Sequence, residues 1–297
     1  MADAPPSWDL YRSFLAILRD GSLSGAARSL GLAQPTLGRH VLELEHRLKI
    51  SLFTRSQAGL TPTAAALELR PYAEALEASA HALLRVASGS QDEVRGTVRL
   101  TASEVISIEV LPPILAELRH AHPGLVIELV VSNRNEDLLR RDADIAVRMV
   151  QPTQRALVAK RIGAIELGLH AHPAYLARAG KPRTAADLAQ HAVVGFDQPS
   201  LFARGLTIGN HAVTREMFSL RADNDLAQLA AIRAGYGIGV CQVPLGRRAP
   251  GLVRILPSVF SVPLECWVAM HEDQRATLRC RVVFDALVEG LSAYLKT

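Results

Sequence analysis

Aromatic residues make up only 5% of this 297-residue chain, and cysteine occurs three times, at Cys241, Cys266 and Cys280, with no C-x-x-C pair. An odd number of thiols without that spacing excludes a disulfide framework and a zinc finger, so the three read as buried thiols. No stretch reaches the ~18 consecutive apolar residues of a membrane span, and MADAPPSWDL lacks the basic start and apolar run of a secretory signal. A cytoplasmic chain is the expectation. Charged residues are also few, at 21%, whereas 49% are hydrophobic, a composition that excludes disorder and suits more than one core.

The net charge of +4 invites a nucleic-acid reading, yet residues 1–95 carry ten basic and ten acidic side chains, and the excess belongs to 96–297. A case for DNA therefore rests on the local pattern over 28–55, where Arg28, Arg39, Arg47, Lys49 and Arg55 face Glu43 and Glu45.

The first 60 residues alternate amphipathic segments with turn chemistry. Leu10, Phe14, Ile17 and Leu18 give a helix from Trp8 to about Arg19 that stops at Asp20-Gly21. Ser22 or Ser24 can cap a second helix, which carries Ala26, Ala27 and Leu30 and ends at Gly31. A third starts near Gln34-Pro35, with Leu37, Val41, Leu44 and Leu48 on one face and Thr36, Arg39, His40, Glu43 and Arg47 on the other. A tight turn before a helix with polar residues at its start is what major-groove docking needs, although an ordinary bundle with a solvated face has the same pattern. In the DNA reading Gln34 bonds adenine, Arg39 reaches guanine or phosphate, and Thr36 offers a hydroxyl and a methyl.

Ile50-Ser51-Leu52-Phe53 reads as a strand and 55–60 as the turn of a hairpin, a wing. Thr61-Pro62 then supplies a cap and a first-turn proline for a long helix toward Ser88, whose Leu69, Tyr72, Leu76, Ser79, Leu83 and Val86 make a dimerisation seam. Pro71 is expected to kink or open it, and the polar stretch at 87–93 to be a hinge.

From Gly96 the grammar is α/β. VRLTA, VIELVV and DIAVR read as strands with helices at 111–120 and 136–140; LGLHAH, AVVGF, MFSLRA, GIGVCQ and LECWVAM read as strands with helices at about 225–234 and 276–295. That order implies a mainly parallel sheet with ligand sites beyond the carboxyl ends of its strands. Ser103 and Glu104 follow the first strand, Ser132, Asn133 and Arg134 the second, and Arg148 ends the third. Phe196 completes AVVGF, Asp223 and Asn224 precede a helix, and Cys241-Gln242 ends GIGVCQ. Helix amino termini favour anions and an arginine there can clamp a carboxylate. The candidate effector-binding residues are thus Ser103, Glu104, Ser132, Asn133, Arg148, Phe196, Asp223 and Cys241, for a small anion or, with Glu104 beside Arg148, a zwitterion such as an amino acid.

Other chemistry finds less support. His170 and His172 share a strand face as metal ligands can, without a third ligand nearby. Gly235-Tyr-Gly-Ile-Gly enters a strand from a helix, the reverse of a dinucleotide loop, and Gly21-Ser-Leu-Ser-Gly has the wrong spacing for a nucleophile elbow. A redox role for Cys241 lacks an adjacent cation. No metal, cofactor or catalytic residue is expected.

The stretch AARSLGLAQPTLGRHVLELEHRLKISLFTRSQAGLTPT resembles the winged helix-turn-helix signature of the LysR-type transcriptional regulators, and the likeness continues through GTVRLTAS, LPPILAELRHAHPGLVIEL, DIAVR and GYGIGV. The resemblance implies an α/β protein with an N-terminal all-α winged helix-turn-helix DNA-binding domain at 1–61 and a linker, dimerisation helix and hinge at 62–95. A two-lobed, periplasmic-binding-protein-like effector domain would occupy 96–297, lobe one being 96–167 plus 268–297 and lobe two 168–267. Ser24, Gln34, Pro35, Thr36, Arg39, His40 and Arg55 become the DNA-binding candidates. Two positions depart from the family: Ala33 stands where a capping serine is usual, and Gly38 where serine is common. The lost cap costs about 1 kcal/mol of helix stability and the glycine roughly as much.

The expected function is sequence-specific transcriptional regulation, without enzymatic activity. Expected partners are a partly palindromic double-stranded DNA operator, a small-molecule effector, a second copy in a homodimer or homotetramer, and RNA polymerase, with no membrane. Two alternatives come from other classes. A solute-binding protein whose helical bundle only dimerises predicts export and no salt-dependent DNA affinity, and an α/β enzyme predicts a convergent nucleophile, base or metal constellation.

Overall fold

The computed structural model describes residues 5–56, 59–87, 94–133, 143–152, 157–198, 205–248 and 251–297, in two compact units divided near residue 88. Arg134, the expected helix at 136–140 and the expected hinge at 88–93 lie outside the described residues. Among the described residues no helix is long and apolar enough to cross a membrane.

In the amino-terminal unit, α1 (Trp8–Asp20) buries Leu10, Phe14, Leu15 and Ile17 and stops at Gly21, whose φ of 66° is left-handed and favours glycine. Ser22, rather than Ser24, caps α2 (Leu23–Leu30), its side chain accepting from the Gly25 amide at 3.1 Å. Gly31, again at φ 66°, ends α2 and opens the short turn to α3 (Gln34–Leu48). Ala33 precedes α3 and gives it no side-chain cap, as the missing serine implied. Phe14 and Leu44 in one cluster, and Ala26, Leu37 and Val41 in another, hold the three helices together. Each fully buried leucine contributes about 1.5–3 kcal/mol.

The wing is present but shifted. Strand β1 (Phe53–Ser56) begins three residues after Ile50 and pairs antiparallel with β2 (Gly59–Pro62), Phe53 opposite Pro62. The expected strand at Ile50 fails because Lys49 turns left-handed, at φ 55°, and the amides of Leu52 and Phe53 donate to Glu45 Oε1 at 2.6 and 3.2 Å instead of to a neighbouring strand. Thr61 and Pro62 belong to β2, so they do not start the long helix. Its cap is Thr63, whose Oγ1 accepts from the Ala66 amide at 3.2 Å and donates to the Ser51 carbonyl at 2.8 Å, leading into α4 (Ala64–Ala87). The helix runs on through Pro71, which has no N–H to give the preceding turn.

The larger unit starts with β3 (Gly96–Ala102), α5 (Leu111–Ala121), β4 (Leu125–Val131) and β5 (Ile145–Arg148). There follow β6 (Leu157–Ala171), α6 (Pro173–Ala179), the short strands β7 (Val194–Gly195), β8 (Thr207–Ile208), β9 (His211–Ala212) and β10 (Leu220–Arg221), and then α7 (Asp225–Arg233). The unit ends with β11 (Ile238–Gln242), α8 (Val243–Gly246), β12 (Val253–Ile255), β13 (Ser261–His271) and α9 (Leu278–Lys296). The main sheet has the order β11-β6-β13-β5-β3-β4, with β12 also on β6.

Within the main sheet, β3 pairs parallel with β4 and β5, whereas β13 runs antiparallel to β5 and β6, and β11 and β12 antiparallel to β6. The mainly parallel sheet expected from the order of elements is therefore corrected to a mixed one. LGLHAH marks only the end of the 15-residue β6, whose earlier half is too exposed to stand out as apolar. AVVGF and MFSLRA contribute two-residue strands, β7 and β10, which pair with each other. Strands β6 and β13 run past two cores. Val98, Leu100, Ile145, Ile165, Val268 and Leu287 fill one, and Leu169, Tyr175, Ile208, Ile238, Ile255 and Phe260 the other.

Candidate functional site

Helix α3 is amphipathic by necessity: Leu37 and Leu44 are wholly buried, which turns its first residues outward. Gln34, Pro35 and Arg39 are exposed and Thr36 is half-buried, so the four stand together at one helix end; Ser24 is exposed on α2. His40 is different. Its Nδ1 lies 2.7 Å from Ser13 Oγ, which donates to the Asp9 carbonyl at 2.9 Å, so the imidazole braces α3 against α1 and has one ring nitrogen already engaged. Arg55 lies on β1, and its side chain is outside the described residues.

The two acids that should repel phosphate are both engaged. Arg47 Nε donates to Glu43 Oε1 at 2.6 Å one helical turn away, and Glu45 is taken by the amides that lead into the wing. Arg28, Arg39 and Lys49 are exposed around them, which leaves this end of the unit basic despite the balanced composition. Glu45 as a wing anchor was missed from sequence, where nothing marks a carboxylate that bonds amides seven and eight residues on.

A second site forms where β3, β4 and β5 end together. Ser103 and Glu104 leave β3, Ser132 and Asn133 leave β4, and the Glu104 amide donates to Asn133 Oδ1 at 3.1 Å, tying the two loops. Asn224 Nδ2 donates to Glu104 Oε2 at 2.9 Å, while Asn224 Oδ1 caps α7 by accepting from the Ala227 amide at 2.8 Å. Asp223, the neighbouring candidate, faces elsewhere: its Oδ1 accepts from the amides of Asp197 and Gln198, each at 2.8 Å. Phe196 sits edge-on to Phe218 with ring centroids 4.9 Å apart. The crevice thus gathers Ser103, Glu104, Ser132 and Asn133, with Asn224 from α7.

Two candidates are buried. Arg148 is only 4% exposed, and its guanidinium donates to Thr101 Oγ1 and to the Val147 carbonyl, both at 3.1 Å. Cys241 lies in a hydrophobic core, its thiol turned to the Gln242 carbonyl at 3.6 Å, and burial pushes it up to about 12. The two histidines separate as well. Buried His170 bonds the Gly168 carbonyl through Nδ1 at 2.9 Å and is shifted down by desolvation, whereas His172 caps α6 by accepting from the Ala174 amide at 3.1 Å. Among the described residues no group of three or more histidine, cysteine, aspartate or glutamate side chains is placed to hold a metal ion.

Residues 8–67 match the profile of the bacterial regulatory helix-turn-helix protein, lysR family, and residues 91–292 that of the LysR substrate binding domain. An HTH-type transcriptional regulator of Xanthomonas campestris pv. campestris is 31% identical over 235 residues, covering 76% of this chain and 67% of that one. A Pseudomonas aeruginosa relative, also 31% identical, is matched over 63% of this chain and 62% of its own length. The HTH-type transcriptional regulator CrgA of Neisseria meningitidis is 26% identical over 94% of this chain and 95% of its own. Its structure superposes with a TM-score of 0.61 at 23% identity, covering 97% and 99% of the two chains. Full-length CbnR complexed with its target DNA superposes with a TM-score of 0.64 at 19% identity, over 96% and 99%. With the two profiles matched in order along nearly its whole length, the chain belongs to the LysR family of DNA-binding transcriptional regulators with an effector-binding domain.

Proposed function

We propose that the protein is a cytoplasmic homo-oligomer that binds a partly palindromic operator through paired amino-terminal units and responds to a small zwitterionic metabolite. Gln34, Thr36 and Arg39 read base edges in the major groove, while Ser24, Pro35 and the β1–β2 hairpin with Arg55 lie along the backbone. Tyr72, Leu76 and Leu83 are 73%, 47% and 72% exposed on α4, an apolar stripe at spacings of four and seven that a second copy would cover. Two-fold pairing of that kind imposes half-sites on the DNA, and the bound dimers or tetramer would present a surface to RNA polymerase.

The domain limits in this reading are 1–61, 62–95 and 96–297, with lobes of 96–167 plus 268–297 and of 168–267, between which β6 and β13 cross. The effector reading is carried by one observation, the 2.9 Å hydrogen bond from Asn224 to Glu104. Glu104 follows the end of β3 and Asn224 caps α7, so a ligand ammonium that takes Glu104 from Asn224 alters the tie between that strand end and the helix. The ligand carboxylate would meet the Ser103 and Ser132 hydroxyls. Coupling to DNA requires that one assembly state binds the effector more tightly than the other.

Fluorescence anisotropy of the full-length protein on the duplex upstream of its own gene, against a shuffled duplex and across a salt series, tests the DNA half. Tight, selective binding with a steep salt slope is expected. Equal, weak binding to both duplexes over every upstream fragment would end the regulator reading. Amino acids titrated into that complex test the effector half, and Glu104→Gln is expected to abolish the response.

A further inference from the structure

Helix α3 presents Pro35, Arg39, Leu42 and His46 along its outward face, at spacings of four, three and four residues, and all of them are exposed. Leu42 stands out among them. It is 67% exposed, takes no part in the packing of Leu37, Val41 and Leu44, and among the described residues of α3 is the one large apolar side chain left in solvent. Gly38, one turn earlier, carries no side chain, and a Cβ placed there would meet no atom within 4 Å. A helical side chain leans back over the turn that precedes it, so Leu42 borders a bare stretch of backbone rather than a neighbour.

The surroundings decide what could cover it. A stable contact between proteins buries about 800 Å² on each side around an apolar centre, whereas Leu42 is a lone leucine between Arg39 and His46, with Lys49 exposed two turns on. Its face continues instead the line of Pro35 and Arg39 at the start of the helix. Leu42 lies three residues past Arg39, about 4.5 Å along the axis at about 1.5 Å per residue, against about 3.4 Å between successive base pairs. In the major groove thymine alone presents a methyl group. The hydrogen-bonding atoms of the other bases, or a phosphate, would lose water against a leucine and gain no partner.

We infer that Leu42 is a specificity-determining residue, whose side chain, beside the bare backbone at Gly38, takes the C5 methyl group of a thymine one to two base pairs from the pair that Arg39 faces. The inference rests on α3 being the helix that reads DNA. Leu42 carries no charge, so its removal changes which sequence is preferred and leaves the salt dependence of binding as it was.

The probe is the duplex that the full-length protein selects most strongly from a randomised pool, with each dT exchanged in turn for dU, which removes one methyl group and nothing else. At one position in each half-site the exchange should weaken wild-type binding about fourfold, as expected for one buried methyl carbon. The same exchange should leave Leu42→Ala unaffected, while L42M, which keeps an apolar side chain, should retain the loss. L42A should also keep the wild-type salt slope, and a circular dichroism melt checks that it is folded. Insensitivity of the wild type to every dU exchange, or an equal loss in L42A, would overturn the role of Leu42 while leaving DNA binding through α3 in place. Failure to select any sequence would remove the DNA-reading assignment of α3 first, and this one with it.

Discussion

Arg233 closes a two-pronged ion pair on Glu109, Nη1 to Oε1 at 2.7 Å and Nη2 to Oε2 at 2.8 Å, tying the last turn of α7 to the segment that leads into α5. At its other end α7 is tied to Glu104 through Asn224. One helix is therefore held at both ends to the chain between β3 and α5.

The pair has a pH signature. The hydrogen bonds from Arg233 hold the Glu109 carboxyl below its ordinary value of 4.5, with the charges of Arg233 and Arg248 adding to this against desolvation. A depressed acid stabilises the fold above its unfolded value and loses that contribution as pH falls through the folded one. Arg233 is 41% exposed at its side chain, so solvent limits the gain to about 1 kcal/mol or less. Urea unfolding should show Arg233→Ala weaker than wild type by that margin at pH 7, with the gap narrowing as pH falls below the ordinary carboxyl value of 4.5. A gap independent of pH would mean the pair contributes nothing.

Helix α3 should be improvable. Ala33→Ser supplies the side-chain acceptor its amino terminus lacks, worth about 1 kcal/mol. A Cβ on Gly38 meets no atom within 4 Å, so Gly38→Ala should add about 1 kcal/mol by helix propensity. Chemical denaturation of the two single variants and the double checks this. Unchanged midpoints would show that the end of α3 does not limit unfolding.

How far the sequence could be read depended on the range of the interaction. Helices α1 to α3, their stops at Gly21 and Gly31 and the uncapped Ala33 follow from neighbours within four residues, and they stand where their spacing placed them. Strand β1 slipped because Glu45 bonds amides at Leu52 and Phe53, a contact no periodicity encodes. The mixed sheet was hidden for a similar reason: β6 and β13 are adjacent in space but about a hundred residues apart in sequence, and the outer half of β6 carries Lys160 and Arg161. Of the crevice, the strand-end residues Ser103, Glu104, Ser132 and Asn133 were legible from the rule that ligands gather there. The burial of Arg148 beside Thr101 was not, since it depends on which side of a strand faces the packed layer, whereas the three cysteines read as buried thiols and are buried.

The thiols should be inert. Cys241, Cys266 and Cys280 are all buried and unbridged, and burial pushes Cys241 and Cys266 up to about 12. At pH 8 that leaves a thiolate fraction near one in ten thousand for these two, a rough figure set by the four-unit gap. A disulfide-exchange reagent such as dithionitrobenzoate should label none of them until denaturant is added. Fast labelling of one thiol in the folded protein would restore a redox role to Cys241.

On DNA, Arg39 and Glu43 should act in opposite directions. Arg39 is exposed in the amino-terminal half of α3; if it reads a base as proposed, Arg39→Ala removes a cation and should cost about 1–3 kcal/mol on the operator. Glu43 holds Arg47 at 2.6 Å, and Glu43→Gln deletes a charge that repels phosphate and weakens the hold on that guanidinium. Affinity for a shuffled duplex should therefore rise and its logarithmic salt slope steepen by about one ion, whereas selectivity falls. Anisotropy titrations at three salt concentrations distinguish the two effects. If Glu43→Gln instead weakened the operator complex while leaving the shuffled duplex unchanged, its carboxylate would be a base-reading group, and the pairing with Arg47 would be a resting arrangement that DNA displaces.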